Sequence, residues 1–215
     1  MKAESIIFKS GALKLEGRLA IPPRAGTAAG VVICHPHPLY GGSMTNNVVY
    51  AVSGALAKKG IAALYFNFRG VGRSEGVHDG GQGEIDDALA AIAFLAGRSE
   101  IDAGRIGLAG YSFGGAVALN AAMQSGRIRA VAAVSPPEMP DLGGFTRPRL
   151  ILCGSEDSLV PASFLLQQKE RITGPDGAGA VEVISGADHF WYGYEEVLAN
   201  RIASFFQQHL PATGI

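Results

Sequence analysis

The sequence predicts an α/β fold, a mostly parallel sheet of about eight strands with helices on both faces. Three observations carry the prediction. From residue 30 onward, short apolar runs without alternation take turns with helical stretches of about 10–15 residues, the pattern of right-handed crossovers between parallel strands. Residues 13–21 instead alternate strictly, as a half-buried antiparallel strand does. The 30 glycines cluster where apolar runs end, in GGSM, FRGVGRSEGVHDGGQG, GYSFGG and DLGGF, which places tight turns at the ends of the strands.

Each element follows in order. Residues 5–8 and 13–21 form a leading pair of strands joined at Gly11. In the second, Leu13, Leu15, Gly17, Leu19 and Ile21 share one face, and Lys14, Glu16 and Arg18 the other. Pro22-Pro23 ends it, and 24–30 reads as a loose loop. The GVVIC run at 30–34 is a central parallel strand. Helical spacing of Val48, Val52, Ala55 and Leu56 gives a helix over 47–59, stopped by Gly60. Residues 61–66 form a buried strand. A helix over 85–95 follows, with Glu84, Asp86 and Asp87 at its positive end. Arg69 and Arg73 are placed to bridge the preceding loop to Asp86 or Asp87. Then come a strand at 105–111, a helix of small residues at 113–124, strands at 129–134 and 149–153, a helix at 162–172, a last strand at 180–184 and a closing helix at 191–208. No linker or charge block divides the chain, so a single domain over 1–215 is expected.

Composition excludes several classes. The net charge is −1, from 18 Lys and Arg against 19 Asp and Glu, so no broad basic surface argues for nucleic acid. The longest purely apolar run, 88–96, is about half of what a membrane helix needs. The N-terminal MKAESIIFKSG lacks an apolar signal core. Cys34 and Cys153 each end an apolar run and are expected to be free, buried thiols, which fits a reducing, cytoplasmic setting. His35 and His37 lack a third ligand at zinc spacing, the Gly70–Gly76 stretch misses the dinucleotide fingerprint, and no phosphate-binding loop is present. No cofactor and no metal are expected. A homodimer is left open.

The sharpest chemical signal is GYSFGG at 110–115, a G-x-S-x-G between a strand and a helix. That context suits a nucleophilic serine, Ser112, on a strained bend at the carboxyl end of the sheet, with the helix N–H groups nearby. A serine needs a base and the base an orienting carboxylate. His189, after the last strand, is the base of choice. Asp157, in the loop after the 149–153 strand, is the preferred carboxylate, with Glu156 as its rival and Asp188 too close in sequence to aim at the ring. Ser112, Asp157, His189 is the chain order of a nucleophile elbow and its partners. For an oxyanion hole, the Phe113 N–H is one donor. The other is sought in the HPHPLYGG loop, where Pro36 and Pro38 have no N–H and the His37 main chain does. His35 is read as a loop brace. Tyr40, Met139, Leu142 and Phe145 are candidates for the substrate pocket. The stretch 136–148, rich in proline and glycine, is too short and broken for a helical cap.

The segments HPHPLYGGSMTNN, NFRGVGRSEG, GYSFGG, GSEDSLVP and GADHF resemble the α/β-hydrolase superfamily, in particular its small, lidless, dienelactone-hydrolase-like serine hydrolases. The resemblance covers nearly the whole chain. It implies the α/β-hydrolase fold with no cap domain, Ser112 as nucleophile, Asp157 as acid, His189 as base and His37 in the oxyanion loop. Two departures stand out. The chain has His35-Pro36 where most relatives have His-Gly, which stiffens that loop. It has serine where dienelactone hydrolases use cysteine, which argues against dienelactone cleavage itself.

The function expected is a serine hydrolase acting on a small-molecule carboxylic ester, with neither nucleic acid nor membrane as partner. A peptidase or amidase, or a thioesterase, would use the same three residues. A non-catalytic binding protein retaining the fold would leave the serine unreactive.

Overall fold

The computed structural model describes residues 3–23, 26–142 and 144–211. Strands β1 (Glu4–Ser10) and β2 (Leu13–Ala20) lead, followed by β3 (Ala28–Cys34), α1 (Asn47–Lys58), β4 (Ala62–Phe66), α2 (Gln82–Ala96), β5 (Ile101–Tyr111) and α3 (Phe113–Gln124). Then come β6 (Ile128–Val134), β7 (Arg149–Gly154), the short helices α4 (Ala162–Leu166) and α5 (Lys169–Thr173), β8 (Gly179–Ile184) and α6 (Glu195–His209). The eight strands form one sheet in the order β1-β2-β4-β3-β5-β6-β7-β8. β2 runs antiparallel to β1 and β4, and the other pairs are parallel.

Strands β3, β4 and β7 are buried throughout and β6 everywhere but at Arg129, with apolar side chains on both faces, so helices must cover both. On one side Phe66, Leu108 and Ile151 meet Leu95 of α2, Leu119 of α3 and Leu165 of α4. On the other, Val31, Ile33 and Leu152 meet Leu56 of α1 and Leu198, Ile202 and Phe206 of α6. No helix among the described residues is long and apolar enough to cross a membrane.

The structure corrects several local readings. Glu16 is buried, although alternation puts it on the exposed face of β2. Its carboxylate accepts from Asn67 Nδ2 at 2.8 Å, the Arg73 N–H at 2.7 Å and Arg73 Nε at 2.9 Å. Arg73 therefore ties its loop back to β2, while Arg69 alone reaches α2, with Nε and Nη2 on Asp87 at 3.1 and 2.8 Å. β3 begins at Ala28 because the Ala28 N–H finds the Glu100 carbonyl at 2.8 Å; Arg24 and Ala25 of the expected loop lie outside the described residues. α2 starts at Gln82, ahead of Ile85, because Glu84 accepts the Gly81 N–H and Asp79 the Gly83 N–H, each at 2.8 Å. The helix read at 162–172 is two short ones, interrupted at Gln168 (φ −99°, ψ 6°). α6 begins at Glu195 because Trp191 and Gly193 take positive φ, which no right-handed helix contains.

Arg149, the first residue of β7, is 1% exposed. Its guanidinium donates to the carbonyls of Phe145, Arg147, Ile172 and Thr173, with Asp176 Oδ1 at 3.5 Å. One side chain thus joins the entry of β7 to the end of α5. Truncation to Met would strand those carbonyls, and Arg149→Met should lower stability by about 2–4 kcal/mol in urea unfolding. A loss under about 0.5 kcal/mol would mean that water replaces the guanidinium without cost.

Cys34 and Cys153 are both buried and unpaired. β5 and β6 separate their strands, so the backbones lie about three strand spacings, or roughly 14 Å, apart. A disulfide needs Cα atoms within about 7 Å. Burial pushes both thiols up, Cys153 to about 11. Native protein should therefore show negligible reaction with a thiol reagent and two thiols after unfolding; a disulfide in the native protein would contradict this geometry.

Candidate active site

The bend after β5 sets the site. Ser112 has φ 53° and ψ −123°, a backbone conformation rare for a non-glycine residue. Its N–H is held by the Val134 carbonyl at 2.8 Å, and its carbonyl takes the N–H groups of Gly115 and Ala116. The turn closes only because two side chains are missing. A Cβ on Gly110 would strike the Gly114 carbonyl, and a Cβ on Gly114 would strike the carbonyls of Cys34 and His35. α3 thereby starts directly against the end of β3. The Phe113 N–H, at the first position of α3, donates to no carbonyl among the described residues.

Two other strand ends bring the partners of Ser112. Gly154, closing β7, lies so near the loop after β8 that a Cβ would collide with the Ala187 carbonyl. In that loop His189 is buried, and its carbonyl accepts the Tyr111 hydroxyl at 2.6 Å. His189 Nε2 is 3.1 Å from Ser112 Oγ, and its Nδ1 is 2.9 and 3.0 Å from the two oxygens of Asp157. Asp157 also accepts the N–H groups of Leu159 at 3.0 Å and Val160 at 2.7 Å. Burial by itself raises the Asp157 carboxyl, but hydrogen bonds from His189, Val160 and Ser135 outweigh it and hold the group below the usual carboxylate range. The rival carboxylates are occupied elsewhere. Glu156 is exposed and bonded to Ser155, and Asp188 caps its own turn by accepting from Phe190 and Trp191.

Ser135 was not legible in the sequence. It is fully buried at the end of β6 with φ 44°, its N–H bonds the Leu152 carbonyl at 2.7 Å, and its Oγ accepts from Trp191 Nε1 at 3.4 Å while bonding Asp157. A serine before two prolines gives no sign of that role.

The loop after β3 is held by its histidines. His37 accepts the Leu39 N–H through Nδ1 at 3.2 Å, and its carbonyl takes the N–H groups of Tyr40 and Gly42. Its own N–H has no acceptor among the described residues. Burial lowers the imidazole below its ordinary value, with His78 adding to the effect. His35 is fully buried, with Nδ1 donating to the Pro36 carbonyl at 2.6 Å and Nε2 accepting the Phe68 N–H at 3.1 Å. It braces the loop in the neutral form, since burial pushes it down to about 4.

A cavity of about 890 Å³ opens over Ser112, Phe113 and His189. Tyr40 lines it, its ring 4.7 Å from that of His37. The other three expected pocket residues do not. Leu142 and Phe145 turn inward and are core residues, the latter beneath the Arg147 guanidinium, and Met139 borders a separate depression with Phe164 and Gln167. Beyond Pro137 and Glu138, which line the cavity, the segment after β6 folds onto the sheet. Ile85, Val117, Asn120, Leu159 and Phe190 line the cavity in their place. His78, missed by sequence reading, and Glu84, read only as a charge at the start of a helix, form a pair at 2.8 Å beside it. Among the described residues no group of three or more His, Cys, Asp or Glu is arranged to hold a metal ion.

The His35 brace has a consequence for stability. The unfolded imidazole protonates near its ordinary value of about 6.5, and the folded one only near 4. The unfolded chain thus binds the extra proton between those values, so stability is full above about pH 6.5 and falls by about 1.4 kcal/mol per pH unit down to about 4 from this group. In His35→Gln the difference in unfolding free energy between pH 7 and pH 5 should shrink accordingly. Equal differences in both proteins would remove His35 from this account.

A family model described as X-Pro dipeptidyl-peptidase (S15 family) matches residues 11–146, and one described as PET hydrolase-like matches 86–207. An uncharacterized protein of Rickettsia prowazekii is 34% identical over 201 residues, covering 89% of this chain and 84% of its own. The structure of an alpha-beta serine hydrolase homologue from Coxiella burnetii superposes with a TM-score of 0.83 at 30% identity, covering 95% of this chain and 97% of the other. A Xanthomonas campestris protein, described as an α/β serine hydrolase without lid, gives 0.83 at 26% identity, covering 100% and 98%. Strand order, elbow and these relatives agree: the chain belongs to the α/β-hydrolase superfamily.

Proposed function

We propose that the protein is a serine hydrolase that cleaves small carboxylic esters through an acyl-serine intermediate. The observation that carries this reading is the line of hydrogen bonds Ser112–His189–Asp157, starting from a serine in left-handed backbone at the head of α3. His189 Nε2 takes the proton as Ser112 Oγ attacks the ester carbonyl. Asp157 keeps Nδ1 protonated and stabilises the imidazolium. The oxyanion meets the free N–H groups of Phe113 and His37. The imidazolium then protonates the leaving alcohol, and water, deprotonated by His189, attacks the acyl-serine to release the acid and restore Ser112. The S15 family description favours a second reading, amide cleavage by the same three residues. Turnover of p-nitrophenyl butyrate against an X-Pro p-nitroanilide separates the two; the ester should be the faster substrate, and the reverse order would favour the peptidase.

Two further outcomes follow from the ester reading. Ser112→Ala should lose at least about 10³-fold in kcat while keeping its circular dichroism and melting temperature, and Asp157→Asn about 10²–10⁴-fold. Glu156→Gln should stay close to wild type. An unchanged rate in Ser112→Ala would reject the covalent mechanism, and a larger loss in Glu156→Gln than in Asp157→Asn would reject the carboxylate assignment.

The acyl limit depends on what covers the serine. Among the described residues no helix lies between β6 and β7, and Leu142 and Phe145 are spent in the core. Each acyl CH₂ that is buried should add about 0.8 kcal/mol, so kcat/KM for p-nitrophenyl esters should peak at roughly two to six acyl carbons and then level or fall. A steady rise through about twelve carbons, below the micelle threshold and independent of protein concentration, would contradict an open site.

A further inference from the structure

The ester mechanism leaves unused the imidazole of His78 in the wall of the cavity. His78 lies between β4 and α2, with its ring 5.5 Å from that of Phe113 and 4.9 Å from that of His37. Its Nδ1 donates to Glu84 Oε1 at 2.8 Å, because a carboxylate oxygen accepts. Glu84 is fully buried and is fixed by the N–H groups of Asp79 at 3.3 Å and Gly81 at 2.8 Å. Such a backing sets both the tautomer and the direction of the ring, as carboxylates do behind metal-binding histidines. In the neutral ring Nε2 is then a lone-pair acceptor, and it has no partner among the described residues.

The proposed chemistry says which part of a substrate meets this nitrogen. The leaving alcohol must lie beside His189, which protonates it, and the acyl group takes the end of the cavity away from it. We assign the acyl group to the lining residues His37, His78, Ile85, Val117 and Asn120, which come from elements other than the loop that carries His189. Ile85 and Val117 suit a short carbon chain. Asn120 donates through Nδ2 to the Ala116 carbonyl at 2.9 Å, leaving its Oδ1 as another acceptor. Charge disfavours an anion there. Asp79, Asp87 and Glu84 stand behind the wall around Arg69, and Glu138 lines the mouth. The unused polar groups therefore ask for a neutral donor.

We propose that His78, positioned by Glu84, determines specificity by selecting acyl groups that carry a hydroxyl, whose O–H donates to Nε2. This deepens the ester-hydrolase reading and rests on it.

The test compares p-nitrophenyl 3-hydroxybutyrate, each enantiomer, with p-nitrophenyl butyrate. The better enantiomer should exceed butyrate in kcat/KM by about 3–10-fold, the range of one neutral hydrogen bond. The ratio should fall to about 1 in His78→Phe and persist in His78→Gln, whose amide can donate to Glu84 and still accept from substrate. If His78→Phe leaves Glu84 too costly to bury, His78→Phe with Glu84→Met removes both polar groups and carries the same expectation. Binding to the Ser112→Ala protein, read by NMR titration with N-benzyl-3-hydroxybutyramide and N-benzylbutyramide, measures the same preference without turnover. Hydroxyl preference in binding with no ester turnover would thus fault the acyl-serine reading and keep the selection. A wild-type ratio near 1, a ratio unchanged in His78→Phe, or tighter binding of the anionic N-benzylsuccinamate would overturn the proposal.

Discussion

The close passage of backbone at the head of α3 is the constraint on which the rest of the site depends. There β5 ends, the chain reverses through Ser112 in left-handed geometry, and Gly114 slides beneath the carbonyls of Cys34 and His35. The strain costs on the order of 1–3 kcal/mol and persists only because the surroundings over-determine it. Here they are the Val134 carbonyl on one side and the first turn of α3 on the other. The same contact places the 35–42 loop next to the serine, because that loop leaves β3 at the point where Gly114 touches it. Ser112 and the unbonded N–H groups of Phe113 and His37 are thus positioned by one packing event.

The carboxylates around the sheet's carboxyl edge follow a common rule. Glu16, Glu84, Asp87 and Asp157 are buried and each is met by donors: from remote segments at Glu16, Asp87 and Asp157, and from the turn just before it at Glu84. An unpaired charge in these places would cost several kcal/mol. The pairs therefore act as position markers for loops that lack regular structure. Glu16 fixes the 67–74 turn to β2, and Asp87 fixes Arg69 to α2. Asp157 fixes the loop bearing His189 to the end of β7. His35 does the corresponding work without charge, as a neutral ring between two backbone segments.

Helix and strand order was legible because the chain's periods are clean: alternating in β2, unbroken in β3 and β4, helical in α1 and α3. The elbow was legible for a local reason, since a G-x-S-x-G between strand and helix needs no knowledge of distant residues. Asp157 and His189 could be chosen by chain order. Ser135 and Arg149 could not, because Asp157, Trp191, Ile172 and Thr173 lie far from them along the chain. The His78–Glu84 pair is local in sequence, but only the fold shows that it borders the cavity.

The misreadings have the same origin. Alternation assigned Glu16 to solvent, yet the loop that covers it arrives from more than fifty residues away. Leu142 and Phe145 looked like pocket residues because they lie in the segment where a cap is commonly inserted. Only the packed sheet shows that this segment turns inward, where Arg149 gathers its carbonyls. The sequence by itself determined the strand and helix order, the elbow and the chemical types at the site, because these rest on short-range periodicity and backbone sterics. The tertiary structure decided which buried charges pair, what lines the cavity and which imidazole nitrogen faces which partner. Those depend on contacts between remote segments, and short-range periodicity does not encode them.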